Sequence, residues 1–119
     1  MPTENRITIE PHPGRVTVRY NGRLIAESRR ALRLREGRYN PVIYLPREDA
    51  DMSLFLRSSR ATHCPYKGDA AYYSIEVNGQ RAEDAVWTYE APKAEVASIA
   101  GYLAFYPERV EIGEEAAAG

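Results

Sequence analysis

Two Asn-Gly pairs, Asn21-Gly22 and Asn78-Gly79, constrain the fold of this chain more than any other feature of its sequence. Both central residues of a type I′ turn need a positive φ, which asparagine and glycine adopt at low cost. Each pair therefore predicts a two-residue β-hairpin turn. Apolar and polar side chains alternate on both sides of each pair. We predict one hairpin over Arg15–Tyr20 and Arg23–Ser28, and a second over residues 70–77 and 80–89.

The turn at Asn21-Gly22 also sets which side chains of the first hairpin share a face. A two-residue turn pairs Tyr20 with Arg23 and Val18 with Ile25. One face, which we predict to be buried, then carries Val16, Val18, Tyr20 and Ile25, and the other face carries Thr17, Arg19, Leu24 and Ala26.

The second hairpin leaves two registers open. Continued without interruption, its turn sets Glu76 opposite Arg81 and Ala70 opposite Trp87. The polar pair Glu83-Asp84 is compatible with a β-bulge instead. Such a bulge would shift every later pair by one residue and exchange the two faces.

The chain between these hairpins predicts a third hairpin and a short helix. Residues 31–35 alternate as a strand, Glu36-Gly37 turns the chain, and residues 42–45 return between two prolines. From Arg47 onward, acidic residues precede an apolar run. This order is typical of a short helix with its acids near the positive end of the helix dipole, and we expect it to end near Ser58.

The C-terminal part predicts a second short helix and two more strands. The helix is expected over residues 93–100, where Pro92 can begin it and Gly101 can end it. Residues 102–106 and 110–112 follow as short strands separated by a turn. Hairpins therefore dominate the predicted fold.

These elements predict a mainly β fold, of the β-rich α+β kind, with two short helices. The hairpins would form a curled, mostly antiparallel sheet, an open barrel or a tent. At 119 residues we expect one β-rich domain over residues 15–112. An N-terminal segment, 1–14, precedes it, and a disordered tail, 113–119, follows it.

Composition and charge argue against several classes of protein. The formal net charge is -1, so no overall field attracts nucleic acid, which we regard as an improbable partner. The chain has neither the apolar core of a signal peptide nor a run of roughly 18 apolar residues, so we expect no membrane contact and a cytoplasmic location. One cysteine and two histidines are too few for a disulfide or a structural zinc site. We expect no metal and no cofactor.

A candidate site lies in residues 62–68, which hold the only cysteine, a proline, a lysine and a glycine between two structured regions. The second hairpin would bring this loop beside Trp87, the only tryptophan. In this interpretation the residues form a ligand-binding pocket. Lys67 supplies positive charge, hydroxyl groups orient the ligand, and aromatic rings form the walls of the pocket. The ligand is then a small polar or anionic metabolite. The predicted ligand-binding residues are Tyr44, Thr62, Lys67, Gly68, Tyr72, Trp87 and Tyr89.

Two other functions stay open. Cys64 and Lys67 are candidate catalytic residues if Lys67 activates the thiol, and the chain would then act on an acyl, phosphoryl or nucleotide substrate. A free cysteine is more often a buried apolar residue, and the neighbouring His63 is more often an exposed loop residue than a general base. A protein-interaction module would use an open sheet edge or the arginine-rich stretch 29–38. The oligomeric state does not follow from the sequence.

Five motifs, taken in order, resemble a known family. They are Ala26-Glu27-Ser28 with the Arg-Ala-Leu stretch after it, and residues 44–49, 62–72, 86–92 and 99–106. Over about residues 15–112 they resemble domain of unknown function family 427, an uncharacterised bacterial family that is labelled nucleotidyltransferase-like. The resemblance implies a compact β-rich domain related to two-sheet tent folds that often hold zinc.

The chain departs from what those labels suggest. It lacks the paired cysteines of the zinc-holding tent folds, so any such relation is metal-free. It also lacks a Gly-Ser pair that opens a helix, one hallmark of nucleotidyltransferases. Asp49-Ala50-Asp51 has the spacing of the other hallmark, an Asp-x-Asp metal dyad, but not its expected setting on a strand.

Overall fold

The structure, a computed structural model, describes residues 6–116. Within these residues the chain forms ten β-strands and three 3₁₀ helices. The strands are β1 (Ile7–Pro11), β2 (Arg15–Tyr20), β3 (Arg23–Ser28), β4 (Leu32–Glu36), β5 (Val42–Tyr44), β6 (Phe55–Cys64), β7 (Gly68–Val77), β8 (Gln80–Thr88), β9 (Leu103–Phe105) and β10 (Glu111–Glu115). The 3₁₀ helices are Arg47–Asp49, Met52–Leu54 and Ala94–Ile99. None of the described helices has the length and apolar character needed to cross a membrane.

The strands form three antiparallel sheets that are not closed into a barrel, which confirms the predicted mainly β class. The first sheet has the order β1-β4-β5, the second β10-β2-β3 and the third β6-β7-β8-β9. Leu45 and Leu103 exchange two backbone hydrogen bonds of 2.8 Å. This bridge places the end of β5 beside β9 and so joins the first sheet to the third.

Two clusters of buried side chains form the core. The larger one lies between the second and third sheets and includes Val16, Val18, Ile25, Ile75, Val86 and Phe105. Burial of each such aliphatic or aromatic side chain contributes about 1.5–3 kcal/mol. The smaller one joins the first and third sheets and contains Leu34, Tyr44, Ala70, Tyr72, Tyr89, Val96, Ile99 and Ala104. Its three tyrosines bring hydroxyl groups into the interior.

Both Asn-Gly pairs form the predicted turns, with a φ of 50° at Asn21 and at Asn78. Val18 and Ile25 are both buried, as predicted. Their predicted pairing is wrong, because Val18 lies opposite Ala26 and the register shifts by one residue between this pair and the turn. Ile25 is the extra residue of this bulge. Ile25 and Ala26 are therefore both buried, and the placement of Ala26 on the opposite face was wrong.

The second hairpin follows neither of the two predicted registers beyond its turn. Glu76 pairs with Arg81 as predicted, but Trp87 pairs with Tyr72 rather than with Ala70. The register therefore shifts by two residues between the turn and Trp87. A shift of two preserves the alternation of side chains, so the predicted exchange of faces does not occur.

The extra residues of this bulge are at the predicted place. Residues 83–85 lie opposite Ser74, because Ile75 pairs with Ala82 on one side and the regular pairing resumes on the other. Asp84 has a φ of 49°, and its backbone N–H donates to Ser74 Oγ over 3.0 Å. The Ser74 side chain on β7 thus stabilises the bulge. The bulge is longer than the sequence of β8 alone suggests.

The predicted helix over about residues 47–58 is wrong. The segment forms two single-turn 3₁₀ helices, and Phe55 then begins β6, a strand of 10 residues. The Asp49 carboxylate accepts a hydrogen bond of 2.7 Å from Ser28 Oγ, which ties the segment to β3 instead of capping a helix. Asp51 caps the second turn. Acids before apolar residues are equally compatible with these short turns.

The third hairpin is confirmed, and it pairs Leu32 with Tyr44 and Leu34 with Val42. The second predicted helix is present only as the 3₁₀ helix Ala94–Ile99. The third hairpin and this 3₁₀ helix both contribute residues to the smaller core cluster, which we call the tyrosine-rich cluster.

Both ends of the described chain form strands. β1 pairs with β4, so residues of the predicted N-terminal segment join the first sheet. Gly113 lies in β10 beside Thr17 of β2, although we expected a disordered tail from residue 113. A Cβ atom at Gly113 would lie 2.7 Å from Thr17 Oγ1, so a larger residue there would require the Thr17 side chain to move. The rest of the predicted tail, residues 117–119, lies outside the described residues.

Candidate functional site: a tyrosine-lined cavity

A cavity of about 230 Å³ lies between the β4–β5 hairpin and the strands β7 and β8. We refer to it as the tyrosine-lined cavity. Its lining residues are Leu34, Glu36, Tyr39, Asn40, Val42, Tyr44, Lys67, Tyr72, Trp87, Tyr89 and Tyr106. The predicted residues Tyr44, Lys67, Tyr72, Trp87 and Tyr89 are among them.

Residues 62–68 form a tight hairpin connection and not the loop that we predicted. Thr62 to Cys64 complete β6, and Gly68 already begins β7. Gly68 has a φ of 116°, and a Cβ atom there would contact the backbone of Ala91 and Pro92 at 3.5 Å. Lys93 N–H donates to the Lys67 carbonyl over 2.9 Å. These contacts hold the backbone of Lys67 beside the cavity.

Lys67 forms an ion pair with Glu36 at the cavity wall. The distance from Nζ to Oε1 is 2.6 Å, and the two side chains are only 12% and 15% exposed. Charge-assisted hydrogen bonds of this kind are strong where water is largely excluded. We predicted that the positive charge of Lys67 would bind a ligand, but this charge is already paired with Glu36.

Trp87 connects the tyrosines of the cavity wall. Its Nε1–H donates to the Tyr44 hydroxyl over 3.3 Å, and the two rings meet edge to face with centroids 6.4 Å apart. The Trp87 ring also contacts the Tyr106 ring, and the centroids of these two rings are 4.5 Å apart. Edge-to-face and tilted ring contacts stabilise such arrangements beyond the area that they bury.

Three of the cavity tyrosines, Tyr44, Tyr89 and Tyr106, have raised pKa values. Burial raises the pKa of both Tyr44 and Tyr89 well above the ordinary value for tyrosine. Burial, followed by a hydrogen bond with Tyr72, raises the pKa of Tyr106 to about 12. The cavity therefore presents neutral hydroxyl groups, which can both donate and accept hydrogen bonds.

Tyr89 is the most informative residue of the cavity. It is 6% exposed, and within residues 6–116 its hydroxyl forms no hydrogen bond. Tyr44, Tyr72, Cys64 and Glu36 are its titratable neighbours. Within the described residues, the buried side-chain atoms that lack a partner belong to His12, Arg15, Arg33 and Asp84, so the Tyr89 hydroxyl is open to the cavity and can bond to a polar group there.

The remaining predicted residues lie behind the cavity. Thr62 Oγ1 is hydrogen-bonded to the Tyr72 hydroxyl at 2.9 Å and so orients a cavity residue without lining the cavity itself. Cys64 is half-buried and packs against the tyrosine-rich cluster. His63 points to the other face of β6, where Nδ1 lies 2.7 Å from an oxygen of Asp69. Cys64 therefore has no neighbouring histidine on its own face of the strand.

The arginine-rich stretch is largely paired with acids. Arg33 and Arg35 both lie near Glu10 of β1, at 3.4 and 3.3 Å. Arg30 pairs with Asp49 at 3.0 Å. This pattern is typical of a solvated sheet face.

The described residues contain no group of three or more His, Cys, Asp or Glu side chains placed to hold a metal ion. Asp49 and Asp51, which have the spacing of a metal dyad, both have structural partners. Asp49 accepts from Ser28, and Asp51 accepts from Ser53.

The ligand-binding set omitted several lining residues. We did not predict Glu36, Tyr39, Asn40 or Tyr106 as ligand-binding residues. Tyr39 and Asn40 belong to the β4–β5 connection, and Tyr106 follows β9. The Leu45–Leu103 bridge brings these two regions together, and no local sequence signal encodes it.

Comparison with known families identifies one match. The sequence model of a family described as a domain of unknown function (DUF427) matches residues 8–116, which confirms the resemblance seen in the motifs. No curated protein matches the chain.

Proposed function

The chain belongs to the DUF427 family, whose description assigns no activity, and we propose that it binds a small, flat, polar organic molecule in the tyrosine-lined cavity. The observation that carries this proposal is the Tyr89 hydroxyl, which belongs to the cavity wall and forms no hydrogen bond with another described residue. A hydrogen bond between this hydroxyl and a polar group of a ligand would contribute about 0.5–1.5 kcal/mol net.

The size and walls of the cavity restrict the ligand. At about 230 Å³ the cavity is smaller than the roughly 300–1,000 Å³ of sites for drug-sized molecules. Its walls are mostly aromatic rings, among them Trp87, Tyr44 and Tyr106. Planar groups stack favourably on such rings. A single ring with one polar substituent fits these limits.

The Lys67–Glu36 pair restricts the charge of the ligand. It offers an ammonium donor and a carboxylate acceptor 2.6 Å apart. A group that carries both an acceptor and a donor, such as a primary carboxamide, can bond to both. A pure anion would approach the Glu36 carboxylate, and a pure cation would approach the Lys67 ammonium. This argument favours a neutral polar ligand over the anionic one that the sequence also allowed.

Three probes test the proposal. Each has one aromatic ring, and they differ in charge: benzamide is neutral, benzoate is an anion and benzylamine is a cation. Trp87 is the only tryptophan, so its emission, together with two-dimensional NMR of the backbone amides, reports on the cavity wall. We expect benzamide to bind with a Kd of about 1 mM, since about −4 kcal/mol over roughly nine heavy atoms is within the range for very small ligands. The two charged probes should bind at least about tenfold more weakly. If none of the three perturbs Trp87 or its neighbours, the proposal is wrong.

A pair of matched variants separates binding from general effects. Tyr89→Phe removes one hydroxyl from the cavity and should weaken benzamide binding about tenfold, the equivalent of one net hydrogen bond. Its folding stability should not fall, because the lost hydroxyl forms no hydrogen bond with another described residue. Tyr66→Phe makes the same change outside the cavity and should leave binding unchanged.

A further inference from the structure

An apolar groove adjoins the tyrosine-lined cavity. Its volume is about 410 Å³, and Ile43, Phe105 and Ile112 line it together with two prolines. Asn40, Val42 and Trp87 belong to the walls of both hollows. Asn40 is the exposed member of this shared wall.

The two hollows differ in chemistry. The tyrosine-lined cavity contains the Lys67–Glu36 pair and several hydroxyl groups. The groove contains one charged residue, Glu114, whose carboxylate already bonds to His12 Nε2 at 2.8 Å. Most of the groove surface therefore gains only from contact with an apolar group.

We infer that the ligand of the tyrosine-lined cavity has two parts: a polar ring that fills the cavity, and an uncharged apolar arm that passes Asn40 and lies in the groove against Ile43 and Ile112. This inference rests on the proposed function. The ligand class is thus amphipathic, and the common wall of Trp87, Val42 and Asn40 separates its two ends.

The wall that the two hollows share favours this occupant. A separate molecule in the groove would share no contact with the polar groups of the cavity. An arm attached to a bound ring reaches the groove without a second loss of translational freedom, so each of its apolar contacts adds directly to affinity. Asn40 lines both volumes, so an arm that joins them would pass this residue.

A homologous series of probes tests the inference. Benzamide, 4-methylbenzamide and 4-propylbenzamide present the same carboxamide with an arm of increasing length. Each methylene buried in the groove should tighten binding by about fourfold, so the propyl compound should bind roughly tenfold or more tightly than the methyl compound. Binding is followed by Trp87 emission on the full chain.

Two measurements place the arm. Ile112→Ala enlarges the groove without touching the cavity, and it should reduce the gain from methyl to propyl by at least about half while leaving benzamide binding unchanged. Nuclear Overhauser contacts of the propyl protons should go to the methyl groups of Ile43 and Ile112. This second measurement uses the unaltered protein and does not depend on the stability of a variant.

The outcomes separate this inference from the proposed function. If benzamide binds but the propyl arm adds no affinity, or if its contacts go to Leu34 inside the cavity, the inference is wrong and the proposed function stands. If the gain survives fully in Ile112→Ala and the Overhauser contacts avoid the groove, the inference is also wrong. If benzamide itself does not bind, both fail.

Discussion

The Lys67–Glu36 ion pair provides the sharpest test of the cavity. Its side chains are 12% and 15% exposed, so removal of one partner leaves the other charge mostly desolvated. Breaking a fully buried pair costs about 3–5 kcal/mol, and the residual exposure places this pair at the lower end, about 3 kcal/mol for Lys67→Met. Glu36→Gln keeps an acceptor for the lysine and should cost about 2 kcal/mol.

The double variant, Lys67→Met with Glu36→Gln, leaves no unpaired charge and should be no less stable than Lys67→Met alone. The coupling energy of the cycle is then about 2 kcal/mol. Urea unfolding followed by circular dichroism measures all four proteins. This probe is preferable to tryptophan emission because Trp87 lies in the same wall.

The chain contains a matched control in the pair Arg57–Glu90. Its two hydrogen bonds are well formed, at 3.0 and 3.1 Å, but its side chains are 54% and 46% exposed. The cycle of Arg57→Met and Glu90→Gln should give a coupling below about 1 kcal/mol. If both pairs give the same small coupling, water screens Lys67 as it does Arg57, and the argument for an enclosed polar wall fails.

Three further predictions follow from the geometry. Gly79→Ala should destabilise the protein by about 1–2 kcal/mol through its φ of 80° alone, since no atom lies within 4 Å of the added Cβ, and a loss of zero in urea unfolding would contradict the type I′ turn. Trp87→Ala should cost about 3–5 kcal/mol in unfolding free energy, whereas Trp87→Phe, which keeps a ring against Tyr44, should cost clearly less; equal losses would show that the ring contacts contribute little. The raised pKa of Tyr106, about 12, means that the folded state disfavours its ionisation, so its contribution to stability should be constant below pH 10 and be lost between about pH 10 and 12. The tyrosinate absorbance of wild type minus that of Tyr106→Phe gives the titration of Tyr106, and a midpoint near pH 10 would contradict this prediction.

The part of the fold that the sequence predicts well is encoded locally. Each Asn-Gly pair needs only its own two residues to adopt positive φ, and both turns are where we expected them. The two bulges depend on contacts between strands. The longer one requires Ser74 to accept from the Asp84 N–H, and nothing within β8 identifies that acceptor.

The candidate site was predicted by an argument that was partly wrong. We placed Trp87 near Lys67 by pairing Ala70 with Trp87, whereas Trp87 pairs with Tyr72. The cavity residues still meet, because a shift of two residues keeps the same side chains on the same face. Glu36 reaches Lys67 from a different sheet, so its role as the partner of the lysine could not be read from either segment.

The two Asn-Gly turns have the same sequence, but we expect deamidation to affect them differently. Asparagine followed by glycine is prone to deamidation, which converts the carboxamide to a carboxylate. Asn21 Nδ2 donates to the Val77 carbonyl over 3.1 Å and so joins the tip of one hairpin to the end of the other. Deamidation at Asn21 would set a carboxylate against that carbonyl and remove the link. Asn78 has no side-chain hydrogen bond within the described part of the chain, so the same chemical change there would leave the contact between the hairpins intact.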